Sequence, residues 1–270
     1  MPAIEVDELA RIAERLGHAV RDAGALALSM FGKALKTWTK GPAQSPVCEA
    51  DMAADDLLRQ RLTAIDPAIA WLSEESADDP ARLAARRIWI VDPIDGTRAY
   101  IAGFPDWAVS AALIEDGRPI AACLFAPATT EFFAARARAG ATRNGMPIAA
   151  TTGTTLEDAT IAGPRNVLQR LSAIAPPFTA TPRVRSLALR LARVAQGVCD
   201  IAIAGGNSHD WDLAAADLLV HEAGGALTSI AGCTLTYNRA VPRHGVLAAA
   251  GRSRHATLIE LLGRERLALC

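Results

Sequence analysis

The sequence predicts a mixed α/β protein, α+β in its first part and α/β in its second, on three observations. Apolar residues recur at helical spacing from Leu9 to Met30, and apolar runs with a tight turn at Asp116-Gly117 fill the middle of the chain. From about residue 151 strand-like and helix-like segments alternate.

Leu9, Ile12, Leu16, Val20, Ala23, Leu26 and Met30 give the first helix one apolar face; it ends near Gly32, and "KALKTWTKGPAQSP" reads as an irregular loop. A second helix, from about Asp51 to Ile65, turns Ala54, Leu57, Leu58, Leu62 and Ile65 inward and leads to a short strand "AIAWL" that stops at "SEES". "RRIWIVD" has the composition of a buried strand, and its expected end is Asp92. Pro93 donates no N–H and biases the residue before it away from the helical region, so the chain must turn before a short helix opens at Thr97. "WAVSAALI", "PIAACLFAP" and "EFFAARA" read as an antiparallel meander with a tight turn at Asp116-Gly117. Beyond it come strand "ATIAG", a helix near "RNVLQRLSAI", helix "SLALRLARVAQG", strand "CDIAIAG", helix "WDLAAADLLVHEAGG", strand "GVLAAAG" and a last helix to about Arg264. The expected organisation is an α+β half over residues 1–150 and an α/β half over 151–270.

The chain has 270 residues, enough for one large domain or two smaller ones. With 28 Lys and Arg against 29 Asp and Glu it has no global basic field for a nucleic acid polymer or an anionic membrane. Cys48, Cys123, Cys199, Cys233 and Cys270 are widely spaced without any C-x-x-C, which argues for reduced thiols and against a disulfide framework or a zinc site. The first twenty residues carry charges throughout and no apolar run is long enough to span a bilayer, so a soluble, cytoplasmic protein is expected.

The candidate functional residues are acids at element ends: Asp51, Glu74 with Glu75, Asp92 with Asp95, and Asp212. Each alone has a bland reading as a helix cap or a solvated face. "WIVDPIDGT" is different, because it sets two carboxylates beside the opening N–H groups of a helix, an arrangement that makes sense with a cation between them. Crowded carboxylates raise one another's pKa values unless cations neutralise them, and all-oxygen donors select hard ions, so Mg²⁺ is expected, with Mn²⁺ as a substitute.

Asp51, Glu74-Glu75, Asp92 to Thr97 ("DPIDGT"), Trp211-Asp212 and the following "EAGG" resemble, in order and approximate spacing, the signature of the inositol monophosphatase superfamily. The resemblance spans about residues 40 to 250 and implies a five-layer αβαβα sandwich of the sugar-phosphatase type, a Mg²⁺-dependent phosphate monoester hydrolase inhibited by Li⁺, and a homodimer acting on a small phosphorylated metabolite. It also implies that Glu74, Asp92 and the Ile94 carbonyl hold one ion, that Asp92, Asp95 and Asp212 hold a second, and that Asp51 contributes to a weaker third. The N–H groups of Gly96 and Thr97 would bind the phosphate, and Thr97 with Glu74 or Asp51 would position the attacking water. A side chain at position 96 would obstruct the phosphate, which is the expected reason for glycine there.

For the substrate, the inositol-specific branch carries an acid seven positions before the Trp-Asp aspartate, where this chain has Gly205. Arg98 and Arg190 stand where the 3'(2'),5'-bisphosphate nucleotidase branch usually has lysines, so the expectation leans to a bisphosphate nucleotide, with inositol 1-phosphate and histidinol phosphate as alternatives. A catalytically silent binder of phosphorylated ligands is the alternative of another class; no signature acid is replaced, which argues against it. Ser208, His209 and Asp210 look like a hydrolase triad in miniature, but adjacent residues on one backbone seldom converge side chain to side chain. The five histidines lack metal-ligand spacing, and His221, on the Trp211 helix, is at most an indirect support for the site.

Overall fold

The structure, a computed structural model, describes residues 5–41 and 44–264. Helix α1 (Val6–Met30) buries the predicted stripe, with Leu16 and Val20 fully inside, and stops where Phe31 turns extended and Gly32 takes φ 74°. The segment read as an irregular loop contains an antiparallel pair, β1 (Thr37–Lys40) and β2 (Ser45–Cys48), which leads into α2 (Glu49–Thr63).

Next come β3 (Ala70–Ser73), β4 (Arg87–Asp95), helix α3 (Thr97–Ile101), β5 (Ala108–Glu115), β6 (Arg118–Ala126), β7 (Glu131–Arg136), β8 (Ala141–Arg143) and β9 (Met146–Ile148). The seven strands pair in sequence order, antiparallel except for β3 beside β4. The expected meander is β5 to β7, and its turn places Asp116 and Gly117 at φ 50° and 74°, as a two-residue hairpin requires. Asn144 and Gly145 repeat that geometry at φ 49° and 80° between β8 and β9, a hairpin that the Asn-Gly dipeptide signals and the reading above lacks.

The rest of the chain forms β10 (Thr160–Ala162), α4 (Arg165–Leu171), β11 (Thr179–Ala180), α5 (Leu187–Ala195), β12 (Ile201–Ala204), β13 (Ser208–His209), α6 (Asp210–Glu222), β14 (Gly225–Ser229), β15 (Arg243–His244), β16 (Leu247–Gly251) and α7 (Arg252–Arg264). The second sheet runs β11-β10-β12-β16-β14 and is mixed: β10 is parallel to β11 and β12, while β16 is antiparallel to both its neighbours. Strand β14 follows α6 directly through Gly224 at φ 83°, which lets the chain reverse onto β16.

Three apolar clusters stack these elements into five layers, αβαβα. One cluster joins α1 and α2 to one face of the seven-stranded sheet. A second fills the other face of that sheet, α5 and α6, and the inner face of the five-stranded sheet. A third lies between the outer face of that sheet and α4 and α7. The alanine richness of "DLAAADLLV" follows from this position. Every residue from Leu213 to Val220 is buried, because α6 is covered on both sides, and small side chains let two sheets approach one helix.

Strand β4 differs from expectation where it matters most. It does not stop at Asp92 but resumes pairing at Asp95, opposite Ala108, with Pro93 and Ile94 bulged out of the ladder. Asp92 Oδ1 accepts the Ile94 N–H at 3.0 Å, so the side chain replaces the ladder bond that the bulge removes. The bulge turns two nearby carboxylates of one strand to the same end of the sandwich.

Candidate active site

The carboxyl ends of β3 and β4 meet the amino ends of α2, α3, α5 and α6, and the acids sit where these ends converge. Their backbone fastening follows one rule. Asp51 and Asp212 are each the third residue of a helix and reach back to the N–H of the cap residue: Asp51 Oδ2 to Cys48 at 2.9 Å, Asp212 Oδ2 to His209 at 2.6 Å. Asp92 accepts the Ile94 amide, and Asp95 Oδ2 accepts the Ala188 amide at 2.6 Å together with the hydroxyl of Ser186, the N-cap of α5. Each aspartate thus commits one oxygen to a backbone amide.

Glu74, Asp92 and Asp212 each direct an oxygen to one spot, the three atoms lying within 4.8 Å of one another. Asp92 Oδ2 is fully buried and has no hydrogen-bond donor. A buried carboxylate oxygen without a partner is costly unless something positive completes it, and an all-oxygen cluster of this size suits a hard divalent cation. Burial, and then the charges of Glu74, Asp95 and Asp212, hold Asp92 well above the ordinary carboxylate range; burial and Asp95 do the same to Asp212. Burial pushes Asp95 up to about 6 even against its three hydrogen bonds. These residues therefore fit the metal that the donor set implies.

Asp95 lines the same cavity beside this cluster, as do Gly96, Thr97 and Arg98. Asp51 stands behind the cavity wall: its Oδ1 accepts the Thr97 hydroxyl at 2.9 Å, and Oδ2 also accepts the Cys48 thiol. Burial raises its pKa. The Ile94 carbonyl accepts from the same Thr97 hydroxyl at 3.1 Å. Gly96 is the N-cap of α3 at φ 98°, and a Cβ there would come within 3.2 Å of the Asp106 carbonyl. Backbone conformation and close packing thus require glycine at this position independently of any ligand.

The expected specificity residues separate. Arg98 is exposed on the rim of the acidic cavity. The Arg190 guanidinium instead donates to the Val184 carbonyl at 2.9 Å and lines a neighbouring groove. Gly205 is half-buried beside Pro164. Sequence reasoning missed Lys40, Ser186, Arg183 and Arg185. Lys40, from the unexpected hairpin, donates to the Glu74 carbonyl and to Glu75 Oε1, both at 2.7 Å. Burial alone would lower its pKa, but Glu74 and Glu75 hold it above the ordinary value. Arg185 is tied to Asp106 and stacks over Phe104 at 3.6 Å. Only Ser186 had a signal, as a serine opening an amphipathic run.

The apparent triad dissolves. Ser208 donates to the Gly205 carbonyl, His209 stacks on Trp211 at 4.6 Å, and Asp210 pairs with His244 at 2.7 Å. His221 is bound to Asp217 at 2.8 Å, whose other oxygen accepts from Tyr237, so it serves the packing of α6.

A five-layer sandwich with an all-carboxylate cluster in a cavity that arginines also line defines a metal-dependent phosphomonoesterase. The chain belongs to the inositol monophosphatase family, whose model it matches over residues 6–266. It is 35% identical over 229 residues to an inositol-1-monophosphatase of Rhizobium meliloti, covering 80% of this chain and 84% of that protein. It is 36% identical over 203 residues to a histidinol-phosphatase of Mycobacterium tuberculosis (71% and 76% covered). With a 3'-phosphoadenosine 5'-phosphate phosphatase of Mycobacterium bovis the identity is 33% over 216 residues (76% and 75%). Among solved structures, the extragenic suppressor protein suhB from Bartonella henselae superposes with a TM-score of 0.81 at 29% identity, covering 92% of this chain and 97% of that one. Among the described residues, no helix is long and apolar enough to cross a membrane.

Proposed function

We propose that this phosphatase removes one phosphate from a monoester that carries further negative charge, of the 3'-phosphoadenosine 5'-phosphate class. The observation that carries this reading is the charge of the cavity lining, which combines the acids Glu74, Asp92, Asp95 and Asp212 with the bases Arg98, Arg183 and Arg185. Of these arginines only Arg185 has a carboxylate partner among the described residues. The acids suit cations and the arginines suit anionic groups beyond the one being transferred. A neutral polyol would use neither the unpaired arginines nor position 205, where glycine offers no acceptor for a ring hydroxyl.

In this reading two or three Mg²⁺ ions are held by Glu74, Asp92 and Asp212, with Asp95, Asp51 and the Ile94 carbonyl around them. When bound, they neutralise charge on the phosphoryl oxygens and favour hydroxide over water as nucleophile. The chain's own part in proton movement falls to Thr97 and Asp51. With its hydroxyl proton directed to Asp51 Oδ1, the Thr97 oxygen keeps a lone pair for an O–H of the attacking water. Burial makes Asp51 a stronger base than a solvated aspartate. Gly96 and Thr97, at the start of α3, offer their N–H groups to the phosphate.

Thr97→Ala is accordingly expected to lower kcat roughly ten- to a hundredfold with KM changed by less than about threefold, while Thr97→Ser keeps most activity. Steady-state kinetics on both variants check this, and a loss confined to KM would reduce Thr97 to a binding residue. The substrate class is tested by phosphate release from 3'-phosphoadenosine 5'-phosphate, inositol 1-phosphate and histidinol phosphate. The bisphosphate should lead by about tenfold or more in kcat/KM, the worth of one charge-assisted hydrogen bond. Equal or better turnover of inositol 1-phosphate would replace the reading with the polyol branch.

A further inference from the structure

The acidic cavity has a volume of about 350 Å³, near the lower end for small-molecule sites, so a sizeable leaving group must extend beyond it. Next to it lies a groove of about 1070 Å³, between α4 and the segment that leads into α5. Arg183 lines both. Its guanidinium has no acceptor among the described residues, and neither has that of Arg165 farther along the groove. Arg190, expected from the sequence to receive a second anion, already donates to the Val184 and Ile203 carbonyls. Its pKa is lowered by burial, with the charge of Asp95 acting against that and the weaker charge of Arg183 adding to it, so Arg190 lies between the acidic cavity and Arg183. Leu168 and Phe178, half-buried, supply an apolar wall.

We propose that Arg183 is a specificity-determining residue: it receives the non-transferred anionic group of a substrate whose leaving group runs from the acidic cavity into this groove, its apolar body against Leu168 and Phe178. The proposal rests on the bisphosphate reading above and deepens it, because it assigns the second anion to one guanidinium and the leaving group to one surface. Arg183 suits the role as Arg190 does not. It stands at the junction of the two cavities and it is uncommitted.

The test is a matched set of esters: 3'-phosphoadenosine 5'-phosphate, adenosine 3'-phosphate, which lacks the second phosphate, and glycerol 2-phosphate, which lacks the nucleoside. Arg183→Ala should reduce the kcat/KM ratio of the first to the second roughly ten- to a hundredfold, chiefly through KM, and Arg183→Lys should restore part of it. Gln169→Trp, an exposed position on α4 facing the groove, should lower the ratio of either nucleotide to glycerol 2-phosphate. If wild-type protein prefers the bisphosphate and Arg183→Ala leaves that preference intact, the Arg183 assignment is overturned while the substrate reading stands. Nucleotide turnover indifferent to Gln169→Trp overturns the groove. A wild type with no preference for the bisphosphate over adenosine 3'-phosphate removes both the substrate reading and this proposal.

Discussion

Asp92→Asn is expected to reduce phosphate release by about a thousandfold or more and, at the same time, to raise the thermal stability of the metal-free protein. The loss follows from removing a charge from the centre of the cluster, where charge stabilisation by an ion is worth several kcal/mol, about tenfold in rate for every 1.4 kcal/mol. The stabilisation follows from Asp92 Oδ2, a buried oxygen without a donor, among like charges. Asparagine keeps Oδ1 for the Ile94 amide and puts an N–H₂ donor where Glu74 and Asp212 direct their oxygens. The expected gain without metal is about 1–2 kcal/mol, roughly 2–8 °C for a chain of this size. Melting curves in EDTA, beside an activity assay in Mg²⁺, decide it. A metal-free variant less stable than wild type would mean that Asp92 is satisfied by a route other than a cation.

The second large effect is metal removal, and its pH dependence has a definite sign. Chelation should abolish turnover, Mg²⁺ should restore it, Mn²⁺ should partly replace it, and Li⁺ should inhibit. Asp95, raised to about 6, and Asp92 and Asp212, held well above the ordinary carboxylate range, bind protons in the folded state that the unfolded chain releases near pH 4. Folded pKa values above unfolded ones mean that the contribution of these three acids to stability without metal is fully present below about pH 4 and is lost as pH rises through their folded values, about 6 for Asp95. An ion reverses that loss by taking the place of the protons. At pH 8 a Mg²⁺ concentration a hundred times the dissociation constant should raise Tm by roughly 5–10 °C, and the same concentration at pH 5, where protons compete, by much less. Equal shifts at both values would show that the raised acids are not those that bind the ion.

The acids could be read from the sequence because their chemistry depends on the order of short motifs, and the fold gathers Glu74, Asp92, Asp95 and Asp212 around one cavity with Asp51 behind Thr97. The layers were legible for a related reason: helical spacing in α1 and alternation after residue 151 are patterns that the core imposes on the chain. What escaped was decided by tertiary placement. Whether β4 ends or bulges at Asp92 depends on β5 offering Ala108 as a partner to Asp95, which no local signal announces. Arg190 sits at the expected position of its helix, yet its guanidinium turns to the Val184 carbonyl because the chain before α5 passes beside it. Lys40 reaches Glu74 and Glu75 through a hairpin whose strands are too short and polar to stand out from a loop. The Asn-Gly hairpin between β8 and β9, by contrast, was there to be read.

The amide tethers of the four aspartates determine when the entropy cost of building the site falls due. A side chain frozen on binding costs about 0.5–1.5 kcal/mol, but Asp51, Asp92, Asp95 and Asp212 are already held by Cys48, Ile94, Ala188 and His209, so their rotamers are fixed when the chain folds. Glu74 has no such tether. Its carboxylate, 3.3 Å from the half-exposed Lys40, hangs on one more rotatable bond than those of the aspartates, the freedom by which it would adjust to ions of different radius. Rigidity in this site therefore resides on β4 and the helix ends, and adaptability at the end of β3.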